Sequence, residues 1–177
     1  MGRKPTISRD RLLDLAEDLV RNGGGAALTI GALAQAAGLS KGGVQYSFAS
    51  KDEIVRSLID RWTSQFDAML QADEHDDPVG FVRRYIAAMR ASQQAMNAKM
   101  AGLMVSYLEN PANLRETREW YRGIFARMGG ARPADQIARV AFMAVEGLFL
   151  MRINGIAEDG TWMELLDDVE AVLARLD

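Results

Sequence analysis

The chain has no cysteine and one histidine, His75, among its 177 residues. Without thiols there is no disulfide, no thiolate nucleophile and no thiolate metal site. A single imidazole leaves little room for general acid–base or metal chemistry. Charge of neither sign dominates: 21 Lys and Arg stand against 24 Asp and Glu, a net charge of −3. The chain is therefore no polybasic coat for nucleic acid or membrane, and any basic surface must be local. Long apolar runs are missing too. The longest uncharged apolar stretch, around Val140–Val145, falls far short of the roughly 20 residues that a bilayer span needs, so no membrane partner is expected. The N-terminus carries positive charge with no apolar segment behind it, which excludes a secretory signal and predicts a cytoplasmic protein. What remains is 49% apolar and 25% charged, the composition of an ordinary globular protein of one domain, or of a small module fused to a larger one.

Proline and glycine punctuate this chain rather than fill it. Pro5, Pro78, Pro111 and Pro133 stand where helices could begin or have not yet begun, and Gly23–Gly25, Gly38, Gly129–Gly130, Gly155 and Gly160 mark the breaks between segments in the same way. Every segment between these marks repeats with a helical period, and none alternates like a half-buried strand. An all-helical protein of about nine helices is predicted. The first runs from Ser8 to Arg21 and two short segments follow at 30–37 and 41–48. A helix of about 30 Å opens at Ser50 with the capping box Ser50-Lys51-Asp52-Glu53. Five more lie near 78–92, 95–109, 112–128, 133–154 and 161–176. The expected division is a three-helix module over 1–50 and a helical domain over 51–177, linked by the helix at 51–72.

Residues 29–51 read T-I-G-A-L-A-Q-A-A-G-L-S-K-G-G-V-Q-Y-S-F-A-S-K. Two helices this short need bracing by their neighbours. Ala34 is small where crossing helices approach, Gly38 can adopt the positive φ of a tight turn, and Val44 is apolar where the second helix returns to the core. The spacing is that of a helix-turn-helix. Ser40 caps the second helix, and Lys41, Gly42 and Gly43 form a first turn whose N–H groups, dipole and lysine favour a phosphate. Tyr46 projects from the same face. Lys51 supplies a second backbone anchor, and Arg3 and Lys4 an arm for phosphates or a minor groove, a better use than the N-myristoylation pattern that M-G-R-K-P-T formally matches. The competing explanation is a structural helical hairpin with solvated lysines. Residues 1–61 hold nine basic and seven acidic side chains against 12 and 17 in the rest, so the basic surplus lies where the motif lies.

The braced first helix, this motif and the following S-K-D-E-I resemble, over about residues 8–60, the N-terminal domain of the TetR-type transcriptional regulators. The resemblance implies that Ser40, Lys41, Gly42, Gly43, Gln45 and Tyr46 lie on or beside a surface facing the DNA groove. It also places Lys51 on a backbone phosphate and Thr29 near one, with Val44 and Phe48 in the core. The chain departs from the family at Ser47, where many relatives carry an aromatic residue or histidine. It departs again at Gln45, where they have leucine or tyrosine, and at Ala49, where they have proline. Gln45 can read adenine through its amide or simply be solvated.

Beyond residue 60 the likeness is architectural. The helix at 133–154 is apolar all round, so one face can pack inward while the other meets a partner chain, as the resemblance implies, the competing arrangement being a monomer with a central buried helix. Phe142, Val145, Phe149 and Ile153, with Trp162, Leu166, Val169 and Leu173 of the last helix, are expected to form a two-fold interface. Methionines and aromatics suit an adaptable apolar pocket and equally fill ordinary cores; the resemblance implies a small-molecule pocket, drawn from Met89, Met100, Met104, Tyr107, Tyr121, Phe125, Phe142, Glu146 and Phe149. Glu146 interrupts the apolar helix, either as an ion-pair partner of Arg139 or Arg152 or as the receptor of a cationic or hydroxylated ligand. The acidic run Asp73–Asp77 reads as a linker in which Asp77 caps the next helix, rather than as a metal site. No catalytic set can be assembled, and no cofactor or metal is expected. The sequence thus predicts a homodimeric DNA-binding repressor, not an enzyme, released from a palindromic operator by a small-molecule effector. The alternative is a helical sensor or carrier without DNA binding.

Overall fold

A computed structural model of the protein describes residues 7–70, 77–156 and 159–176. Arg3, Lys4 and the acidic run before Asp77 lie outside the described residues. All regular structure among the described residues is helical: α1 (Arg9–Ala27), α2 (Ile30–Ala37), α3 (Lys41–Gln45), α4 (Lys51–Met69), α5 (Pro78–Ala95), α6 (Ala98–Leu108), α7 (Pro111–Arg127), α8 (Pro133–Ile153) and α9 (Asp159–Leu173), followed by a 3-10 turn. The caps explain the boundaries. Side chains of Ser8, Thr29, Ser40, Asp77 and Asn110 each accept a backbone N–H from the first turn of their helix. Gly38 ends α2 at φ 64°, the left-handed conformation expected for it. Gly24, at φ 72°, breaks α1, so this helix passes its expected end at Arg21 through a kink.

The chain forms two compact units. The first comprises the described residues through Ser64 together with Lys99–Tyr107. Leu12, Leu13, Ala16 and Val20 of α1, Leu28 between α1 and α2, Leu33 and Ala34 of α2, Val44 and Phe48, Ile54, Val55, Leu58, Ile59 and Trp62 of α4, and Met100, Ala101 and Leu103 of α6 are its buried residues. The unit extends past the expected boundary at residue 50 because helices of eight and five residues cannot bury enough surface alone. Polar ties hold α1 to α4: Arg61 donates to Asp14 at 2.9 Å, and the Trp62 indole N–H donates to Glu17 at 3.1 Å.

The second unit comprises the described residues of 65–98 and 108–176. Phe81, Val82, Tyr85, Ile86, Ile124, Met128, Ala138, Phe142, Val145, Trp162, Leu166 and Leu173 are buried in its core. The α8 start is pinned by a carboxylate, Asp135, that is 2% exposed. It accepts the Arg132 backbone N–H at 3.0 Å and the Arg132 guanidinium at 2.6 Å; those hydrogen bonds hold its carboxyl below the usual carboxylate range. Gly130 lies directly over this carboxylate at φ 123°, and a Cβ there would come within 2.3 Å of Asp135 Oδ2. Gly130→Ala is therefore expected to destabilise the protein by about 1–3 kcal/mol, from left-handed strain together with a displaced ion pair. A thermal midpoint that does not move would refute this account of the α8 start.

Candidate functional site

Helix α3 owes its orientation to two buried residues, Val44 and Phe48, both 0% exposed. They turn the opposite face outward. Lys41, Gly42, Gln45 and Tyr46 are exposed, and Tyr46 is 93% accessible. Ser40 Oγ accepts the Gly43 N–H at 3.1 Å, closing the first turn. The Phe48 ring is braced by the Arg9 guanidinium 4.4 Å from its centroid, and Arg9 also donates to Glu53 at 3.2 Å and Ser57 at 3.0 Å. The presenting helix is thus fixed from α1 and α4 at once.

Neither glycine of α3 is demanded by the fold. A Cβ at Gly42 would meet only Ser40 Oγ, at 3.9 Å, and one at Gly43 would approach nothing closer than 3.5 Å. Alanine would favour the helix by about 1 kcal/mol at each position. The bare surface they leave lets a ligand approach the backbone closely. Beside it, the Lys41 stem lies along α2, its Cε 3.4 Å from where a Gly31 Cβ would be. Thr29 is exposed at the α2 start, with its oxygen accepting the Ala32 N–H at 3.0 Å. Lys51 is placed differently from a free anchor: it is half-buried and its ammonium donates to the Gly25 carbonyl at 2.7 Å. The carbonyls at the kinked end of α1 attract cations, and Lys99 caps Asn22 in the same way.

The residues expected to line a pocket are shared between the two units. Met100, Met104 and Tyr107 belong to the first unit, whereas Met89, Tyr121, Phe125, Phe142, Glu146 and Phe149 belong to the second. Sequence spacing gives no sign of this, because α6 is apolar enough to suit either unit. Within the second unit, both carboxylate oxygens of Glu146 accept phenol hydroxyls, from Tyr85 and from Tyr121. Arg139, one expected partner, instead donates to the carbonyls of Met128 at 2.7 Å and Gly130 at 3.0 Å. Burial, reinforced by the Glu146 charge, pushes both phenols well above the usual tyrosine range, so they remain donors. Rings surround the group: Phe142 lies 4.9 Å from Tyr85 and 5.8 Å from Phe125, and Trp120 lies 4.9 Å from Tyr121. Tyr85, and Phe66 with its ring 5.3 Å from that of Tyr85, were not anticipated; nothing in their local patterns sets them apart from core residues.

The expected dimer residues divide by burial. Phe142, Val145, Trp162, Leu166 and Leu173 are buried in the chain's own core, with Phe149, Ile153 and Val169 half-buried. In a helix apolar on every side, periodicity cannot say which face turns inward. The α8 face left open is Val140, 69% exposed, with Met143, Leu150 at 54%, and Met151. Among the described residues no group of three or more His, Asp or Glu stands ready for a metal, and no helix is long and apolar enough to cross a membrane.

The family model for the tetracyclin repressor-like C-terminal domain matches residues 79–176, and that of the bacterial regulatory proteins of the tetR family matches 12–58. Among solved structures, a transcriptional regulator from Rhodococcus sp. Rha1 aligns with a TM-score of 0.69 and 20% identity, over 96% of this chain and 97% of that one. A transcriptional regulator (TerR/AcrR family) from Aquifex aeolicus VF5 aligns with a TM-score of 0.69 and 15% identity, over 96% and 99%. A TetR variant from Acinetobacter baumannii AYE in complex with minocycline aligns with a TM-score of 0.61 and 15% identity, over 95% of each chain. No curated protein matches the sequence.

Proposed function

The chain belongs to the TetR family of bacterial regulatory proteins, and from that premise we propose that this DNA-binding regulator is a cytoplasmic homodimeric repressor whose C-terminal part binds a small-molecule effector. The reading is carried by the surface of α3. Val44 and Phe48 are sealed inside while Lys41, Gln45 and Tyr46 stand in solvent around two bare glycines. A buried anchor face and a polar, aromatic outer face suit a helix that enters a major groove. Lys41 and the exposed Thr29 are the proposed phosphate contacts, with Arg3 and Lys4 as an arm. Tyr46 and Gln45 are the proposed base readers, with Ser40 and Gly43 shaping the turn between them. Lys51 reaches a phosphate by using donors other than the one held by Gly25. The proposed division of labour puts the helix-turn-helix module within residues 1–50, lets Lys51 at the start of the linking helix add one DNA contact, and leaves effector binding and dimerisation to 51–177, with no catalytic role assigned.

Two recognition helices bind a palindromic site when they stand about 34–36 Å apart. An effector that favours another spacing then releases the operator by shifting populations. Partner binding is proposed for the open α8 stripe, whose exposed apolar residues are costly to leave in water.

The test is a mobility-shift assay against duplexes selected from a random library, repeated across salt concentrations. Lys41→Ala is expected to weaken binding to all selected duplexes alike and to lower the log–log salt slope by roughly 1 per protomer. Lys41 is the cleaner probe, because removing Lys51 also breaks its bond to Gly25. If no duplex is retained at low salt, the DNA-binding assignment falls and the sensor or carrier reading takes its place.

A further inference from the structure

A carboxylate withdrawn from water is costly unless a cation meets it. Asp135, the buried carboxylate at the α8 start, has the Arg132 guanidinium. Glu146 is different. It is half-buried among aromatic rings, its partners are two neutral phenols, and among the described residues no Lys or Arg nitrogen pairs with it. The hydroxyls orient the carboxylate without neutralising it. Aromatic faces are themselves negative, so the rings favour a cation beside the carboxylate and disfavour the bare anion. A second negative charge, Asp67, is held in the same cluster by the Trp120 indole N–H at 2.8 Å. The cluster is open on one side, where Phe125 is exposed and Tyr121 half-buried.

We propose that Glu146, with the rings of Tyr121 and Phe125, forms a binding site for a monovalent organic cation, an ammonium group carried on an apolar or aromatic body, and that this is the effector class of the regulator. The site stands on the geometry of the second unit alone; its role as effector site rests on the regulatory reading above. Each Glu146 oxygen gives one lone pair to a phenol and keeps another for an N–H donor. The ring faces receive the charge and the apolar body. A hard metal ion fits poorly, because it takes six or more oxygen ligands and among the described residues no group of three or more His, Asp or Glu is placed to hold one. An anion would be repelled, and a neutral ligand would leave the charge unmatched.

Calorimetric titration of the full chain with benzyltrimethylammonium, phenethylammonium, benzyl alcohol and benzoate tests the site. Saturable binding of at least one cation is expected, with benzyl alcohol at least tenfold weaker and no binding of benzoate. Glu146→Gln should weaken the cation at least tenfold. Its melting midpoint should hold or rise, because the amide can accept from one phenol and donate to the other while removing an unmatched charge. A purely structural carboxylate would instead lower the midpoint and leave cation affinity unmoved. Tyr121→Phe, which keeps both the ring and the charge, should retain cation binding. The site is overturned if neither cation binds at millimolar concentration, if benzoate binds as well as they do, or if Glu146→Gln binds them like the parent chain. A cation that binds without weakening the hold on a selected duplex overturns the effector role alone. Failure of the unliganded chain to hold any duplex overturns the regulator reading and leaves the site standing.

Discussion

Introducing glutamate at both Val140 and Leu150 is expected to convert the protein to a monomer and to reduce operator affinity by a hundredfold or more. The two positions lie ten residues apart on the same open face of α8, with Met143 between them. Gly147, midway along the stripe, has nothing within 4 Å of where a Cβ would be, so a partner helix can come close. Four like charges brought together across a two-fold axis would have to be desolvated, which no exposed apolar gain offsets. The effect on DNA is larger than that on any single contact, because the second half-site is bound intramolecularly in a dimer. Losing that linkage removes a factor of about 10²–10⁴. Both side chains are solvent-exposed within the chain, so the helical circular dichroism of the variant should match the parent. Light scattering supplies the mass and a mobility shift the affinity; persistence of a dimer would show that the partner face lies elsewhere.

The second large effect is expected at Phe48. This ring is fully buried and carries the Arg9 guanidinium on its face, so it joins α1, α3 and α4 in the first unit. Phe48→Ala should cost about 3–5 kcal/mol, the sum of lost transfer energy and an unfilled cavity. That is a large fraction of the 5–15 kcal/mol that typically holds a domain together. Because α3 has only five residues and two of them are glycine, it has little stability of its own to retain the outward pose of Tyr46. DNA binding should vanish together with the loss of stability, while Phe48→Leu, which refills most of the space, should recover much of both. Urea denaturation followed by circular dichroism measures the first quantity. A loss under about 1 kcal/mol would mean that α3 is not anchored through this ring.

The parts legible in the sequence are those governed by local chemistry. Caps at Ser8, Ser40 and Asp77, the proline starts of α5, α7 and α8, and the left-handed Gly38 depend on residues within one turn of each other, so reading neighbours sufficed. The motif at 29–51 was legible for the same reason: its constraints fall at fixed short spacings. Amphipathic α3 also announced its exposed face, since Val44 and Phe48 are the apolar positions of an otherwise polar stretch.

Three matters lay beyond local patterns. With apolar residues on every side, α8 carries little periodic contrast, and only packing against α5 and α9 decided that Phe142 and Val145 turn inward while Val140 and Leu150 face out. The same is true of α6, whose Met100 and Leu103 went to the first unit through contacts with residues far away in sequence. Glu146 was conspicuous as a charge in an apolar helix, yet its partners come from α5 and α7, 61 and 25 positions away. Hydrogen-bond partners at such separations follow from how helices cross, and helix crossing is a property of the packed core rather than of any one segment.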